Sequence, residues 1–203
     1  MLSLEQVEGH KAWLKNFTEV ELEHVIPQII RDTSYDYYVV VSDDVICSTD
    51  ALNAVVNLLE VGAQVVTGYC NLDPVSEFCS LTKTPPTLPV RVETYDWMTL
   101  DEVHSSSENV IRTYHPSMAL TGMSREMWEK FPWRCYGRNG RYGWAADLDL
   151  GLRLHAAEIP IFAPKDAFIY HTKPDWKLVD ANMFERRRLR IDIEPSEVVF
   201  DIK

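Results

Sequence analysis

The sequence predicts an α/β protein, on three observations. Tyr37-Tyr38-Val39-Val40-Val41 is short, rich in β-branched and aromatic residues, and apolar on both faces. A central parallel strand reads this way, because helices cover both its sides. Apolar residues at helical spacing lie before and after it. Val65-Val66-Thr67 then repeats the strand pattern, so the first half alternates helix, strand, helix, strand. That is the order of a sheet built with right-handed crossovers.

The elements follow in order. Thr18 and Glu21 have capping-box spacing, and after them Leu22, Val25, Ile26, Ile29 and Ile30 recur at helical period. Pro27 falls inside that pattern and predicts a kink or a restart. The first strand runs directly into Ser42-Asp43-Asp44. Leu52, Val55, Val56 and Leu59 form one face of a second helix, with Gly62 as its stop. From Asp73 to Ser107 the pattern weakens, and Thr84 to Pro89 and Ser105 to Ser107 read as loop. A short helix begins near Ser124 and carries Met127, Trp128 and Phe131. Trp133 to Trp144 mixes glycines, arginines and aromatics without a period, as a mobile binding loop does. A helix opens near Asp147 and runs through Leu148, Leu152 and Leu154. Ile159 to Ala163 and Ala167 to Tyr170 read as strands, the second ending on His171. Lys173, Lys177, Arg186, Arg187, Arg188 and Arg190 make a basic tail.

Composition limits the function classes. The chain has 203 residues, 46% apolar and 25% charged, which is globular composition and one domain's length. Lys plus Arg number 20 against 31 for Asp plus Glu, a net charge of −11. That excludes nucleic acid as an expected partner, since phosphates require a basic face. An acidic cation-binding cleft stays open. Acids interrupt the first residues, so no signal peptide is visible, and no apolar run is long enough for a transmembrane segment. Cys47, Cys70, Cys79 and Cys135 show no C-x-x-C spacing and read as reduced thiols. A cytoplasmic location is expected.

Four groups of residues have chemistry to offer. Asp43 and Asp44 follow a buried strand, and ligands bind at the carboxyl ends of strands in open α/β sheets. Adjacent carboxylates repel, and a hard divalent ion such as Mn²⁺ or Mg²⁺ relieves them. The same pair also suits the cap of the next helix. Asp147 and Asp149 stand in the first turn of a helix, whose positive end keeps a carboxylate ionised and able to accept a proton. Either one equally suits a plain helix cap. His171 ends a strand, where an imidazole ligates a metal, contacts a phosphate, or simply hydrogen-bonds. The arginine run suits phosphate recognition or a solvated helix face.

The order of these signals resembles a GT-A-type glycosyltransferase, similar to the family-2 group of inverting, nucleotide-sugar-dependent enzymes. Tyr35 to Val45 resembles the strand that bears that family's D-x-D signature, and Asp50-Ala51-Leu52 the helix after it. Gly122-Met123-Ser124-Arg125-Glu126 resembles the small-residue turn and R-E helix start near the acceptor. Trp144 to Leu154 resembles the E-D-x-D-L-x-x-R-L segment, and Phe168 to His171 the strand that closes on a metal- or diphosphate-contacting histidine. The likeness spans residues 34 to 172. It departs in three places: Ser42 replaces the first D-x-D aspartate, Ala146 replaces the glutamate before the base, and only 41 residues precede Ser42.

The resemblance implies a Rossmann-like mixed sheet flanked by helices and trimmed at the N-terminus. Within it, residues 1–72 form a donor- and metal-binding half, 73–172 an acceptor and catalytic half, and 173–203 the basic tail. Asp44 and His171 would hold Mn²⁺ or Mg²⁺, and Asp147 would be the base. Asp43, Asp149, Trp144 and Arg141 would bind substrate. The implied partners are a nucleotide-sugar donor and a glycan, protein or lipid acceptor. Trp133, Tyr136, Tyr142 and Trp144 suit a sugar's C–H face or a small core. A non-catalytic carbohydrate- or nucleotide-binding descendant of the fold is the alternative.

Overall fold

The computed structural model describes residues 19–42, 45–72, 76–85, 95–134 and 146–171. It has mixed α/β architecture with a mixed parallel and antiparallel sheet. Helix α1 (Glu19–Asp32) leads to strand β1 (Tyr37–Val41) and the short β2 (Val45–Ile46). Then come α2 (Thr49–Glu60), β3 (Val65–Thr67), β4 (Phe78–Thr82), β5 (Trp97–Thr99), α3 (Leu100–Ser105) and β6 (Val110–Thr113). Strand β7 (Leu120–Ser124), α4 (Arg125–Lys130), α5 (Ala146–Ala156), β8 (Ile161–Pro164) and β9 (Tyr170–His171) complete the order.

The main sheet runs β1-β7-β3-β8-β6. Strand β7 is antiparallel to both β1 and β3, so β1 and β3 point the same way with β7 between them. Strand β8 is parallel to β3 and antiparallel to β6. The expectation of a central parallel β1 is therefore corrected: β1 is an edge strand of this sheet, and its ladder with β7 is antiparallel. Both faces of β1 are nonetheless covered. Tyr38 and Val40 pack with Ile26, Ile30, Met127 and Leu150 on one side. Tyr37 and Val39 pack with Val55, Val56 and Leu59 of α2 on the other. Two-faced apolarity reports helical cover, and it carries no information about the strand's place in the ladder.

Helix α1 continues through Pro27 for 14 residues, so the expected restart does not occur. Its carbonyl end is held from outside: the Arg125 guanidinium donates to Ile30 O and Thr33 O, each at 2.6 Å. Helix α2 ends as the sequence predicts, with Gly62 at φ +102°, a conformation costly for any residue with a Cβ. The glycine before Ser124 is no turn. Gly122 sits within β7 opposite Val39 and Val66, and a Cβ there would lie 2.7 Å from Leu59 Cδ1. A third core, built on Tyr69, Cys79, Leu81, Val103 and Ile111, joins β4, β5 and α3 to the sheet.

Candidate active site

The site grows from the segment that enters β7. Ser117 N donates to Thr67 Oγ1 at 2.8 Å, and Thr121 Oγ1 donates to Ser117 O at 2.6 Å. These buried hydroxyls satisfy a loop that would otherwise bury bare backbone groups. Segment 115–120 thereby becomes a hub. Ser42 N, at the end of β1, donates to Ala119 O at 3.1 Å, and Gly68 N, just past β3, donates to Leu120 O at 2.8 Å. Tyr69 N donates to Ala167 O and Ile169 N to Tyr69 O, which draws in the strand that leads to His171. Val45 then pairs with His171 in the β2–β9 ladder.

Helix α5 reaches the same hub through a glycine. A Cβ on Gly151 would lie 2.6 Å from Tyr114 O and 3.1 Å from Pro116 Cδ, so its absence lets the helix lie against residues 114–116. Gly151 is one turn after Asp147 and shares its face. The close approach brings Asp147 Oδ2 to 3.3 Å from His115 Nε2. His115 is 5% exposed, and its Nδ1 donates to Ser80 O at 2.9 Å. Asp147 Oδ1 accepts from Leu148 N at 2.8 Å, and the side chain keeps 21% of its surface open. Nδ1 is hydrogen-bonded and Nε2 faces the carboxylate inside the protein, so the carboxylate is the more exposed member of the pair.

Aromatic rings wall the pair. Tyr95 and Trp97 stack at 5.1 Å and meet the His115 ring nearly at right angles, at 5.9 and 5.2 Å. Burial, and then the Asp147 charge, raise the Tyr95 phenol above its ordinary range, so it stays protonated. Its hydroxyl is buried and makes no hydrogen bond among the described residues.

Asp149 lies on a different face of α5. Its Oδ2 accepts from Arg153 Nε at 2.7 Å, while Arg153 Nη2 donates to Pro132 O at 2.7 Å. The pair ties the start of α5 to the chain following α4. Ala146, where the resemblance has a glutamate, is fully buried in the core. Trp133 is 2% exposed and packs 5.7 Å from Trp128, so of the two roles considered for it the structure supports core packing. Among the described residues no three His, Cys, Asp or Glu side chains group as metal ligands. Asp43, Asp44, Arg141 and Trp144 lie outside the described residues, as do Tyr136, Tyr142 and the basic tail.

Sequence reasoning missed His115. Its signal is indirect: a glycine at the fourth residue after Asp147 marks close approach on the aspartate's own face, but nothing local says which segment approaches.

No family model matches the chain, and no curated protein does. Among solved structures, one titled "Crystal Structure of A197 from STIV" is similar over 82% of this chain and 81% of its own. The two are 15% identical with a TM-score of 0.47. No helix among the described residues is long and apolar enough to cross a membrane.

Proposed function

We propose that the chain is a metal-dependent glycosyltransferase that moves a sugar from a nucleoside-diphosphate sugar to an acceptor hydroxyl with inversion. The observation that carries this reading is Asp147: a carboxylate in the first turn of α5, held on one side by His115 and open on the other. A base must present a fixed lone pair to the hydroxyl it deprotonates. In the proposed step the acceptor O–H proton passes to Asp147. The oxygen's electron pair forms the bond to the anomeric carbon, and the bond to the diphosphate breaks with its electrons.

Asp44 and His171 would hold Mn²⁺ or Mg²⁺. Carboxylate oxygen with imidazole nitrogen suits these ions, and the β2–β9 pairing supports the set by seating His171 opposite the residue after Asp44. When bound, the ion neutralises charge on the leaving diphosphate. Asp149, Asp43, Arg141 and Trp144 complete the proposed substrate contacts. Arg153 holds Asp149 in place for that role.

A second reading has its own observation. Ala146 is part of the apolar core, so no carboxylate stands before Asp147. That favours a carbohydrate- or nucleotide-binding descendant without catalysis. One experiment separates the two. Wild type and Asp147→Asn are assayed for donor binding and transfer with UDP-, GDP- and CDP-sugars, in Mn²⁺ and in EDTA. The expected outcome is Mn²⁺-dependent transfer by wild type, and a loss of at least about a hundredfold in Asp147→Asn with donor affinity retained. Metal-independent sugar binding without turnover would establish the second reading instead.

A further inference from the structure

We propose that Tyr95 sets the acceptor specificity of the Asp147 site. Its hydroxyl donates to the oxygen next to the one that Asp147 deprotonates, so the acceptor is a sugar with neighbouring hydroxyls and not a lone hydroxyl. The inference rests on the reading of Asp147 as the base. Tyr95 is 8% exposed, and its hydroxyl has no hydrogen-bond partner among the described residues. Buried polar groups are nearly always paired in folded proteins, so one left unpaired beside a reactive carboxylate calls for a partner from outside the chain. The buried hydroxyls nearby differ from it: Thr67, Thr113, Ser117 and Thr121 all make hydrogen bonds within the protein.

The two groups are complementary. The Asp147 charge acts on the Tyr95 phenol, so they are neighbours, yet no hydrogen bond joins them. Burial keeps the phenol protonated and therefore a donor, while a carboxylate accepts. Neighbouring hydroxyls of a sugar ring match that pair: one gives its proton to the carboxylate, and the other accepts from the phenol. A lone hydroxyl, as on a serine or an alkyl chain, leaves the phenol unpaired and forgoes the second bond. Asp147 keeps 21% of its side chain open, so the ligand enters from its side of the pair. Trp97 is half-buried and stacks on Tyr95 at 5.1 Å with 19° between the ring planes, which fixes the phenol before a ligand arrives.

The test measures binding to the full chain without donor. Its probes are the methyl glycosides of glucose, galactose, mannose and N-acetylglucosamine, their monodeoxy analogues, and a serine peptide. Wild type should bind one of the glycosides, and Tyr95→Phe should bind it about tenfold more weakly. One deoxy analogue should show the same loss on wild type, and on Tyr95→Phe it should bind no worse than its parent glycoside. Equal glycoside affinity in the two proteins overturns the inference, as do losses that add, or a wild type that binds none of the glycosides. If Tyr95→Phe does not fold, the deoxy series on wild type decides: a loss of about tenfold at a single hydroxyl upholds the contact, and a flat series overturns it. Transfer assays separate this inference from the reading beneath it. Tyr95-dependent glycoside binding by a chain that transfers no sugar overturns the transferase reading and leaves the second hydroxyl contact standing. Transfer to the serine peptide with the same KM in wild type and Tyr95→Phe overturns that contact and leaves Asp147 as the base.

Discussion

Tyr95 and Tyr69 are both buried tyrosines, yet their hydroxyls fare differently. Tyr69 donates to Lys165 O at 2.7 Å, whereas Tyr95 has no hydrogen-bond partner among the described residues. A buried polar group left unpaired costs about 1–3 kcal/mol. Tyr95→Phe removes that cost and keeps the ring stacked on Trp97. Urea unfolding should therefore show a gain of about 1 kcal/mol; a loss of stability would mean that the hydroxyl is paired after all. At this scale the sequence was partly legible. Asp147 was readable because it opens a helix after a long aperiodic stretch. His115 was not, because its partners come from β4 and α5, and neither is near it in the chain.

Helix α5 shows why some elements were readable and others were not. Its apolar residues and its opening carboxylates are local signals, and Ala146–Ala156 agrees with the expectation. Strands β4, β5 and β6 and helix α3 were not anticipated. They are short, and β6 alternates with an apolar residue, Val110, on its exposed face. Helix α3 did carry a local signal: Thr99 and Glu102 form a complete capping box. With an apolar stretch so brief after it, that signal drew no notice. The β1 edge position is a matter of backbone pairing and leaves no mark on side-chain pattern. Gly151 carries this scale's prediction. In Gly151→Ala the new Cβ meets a main-chain carbonyl that cannot swing away. Overpacking of this kind costs about 1–3 kcal/mol. That outweighs the gain of about 1 kcal/mol from better helix propensity. A lowered urea midpoint is expected, and a raised one would show that α5 does not lie so close to residue 114.

Across the whole molecule, several acidic side chains resist ionisation. Burial pushes the Cys47 and Cys79 thiols up to about 11 and raises Tyr69 and Tyr95. Tyr37 is raised by burial and by its hydrogen bond to Glu60. The unfolded chain ionises its cysteines near 9.0 and its tyrosines near 10.0. Above pH ~9 the folded state thus holds more protons than the unfolded one, and stability falls as pH rises. Each of the buried groups Cys47, Cys79, Tyr69 and Tyr95 contributes up to about 1.4 kcal/mol per pH unit within its own window, and the more exposed Tyr37 is screened by solvent and contributes little. Urea midpoints measured from pH ~8 to pH ~10 should drop steadily; a flat profile would show that these groups ionise as readily folded as unfolded.

The ladder that joins Val45 to His171 spans most of the described chain. Closing so long a loop costs entropy that is recovered only once both ends have surfaces to dock on. Pairings of such separation slow folding, because loop closure is paid before the contacts reward it. A chain that has not yet formed this pair can hold its apolar cores and still leave His171 without the strand opposite it.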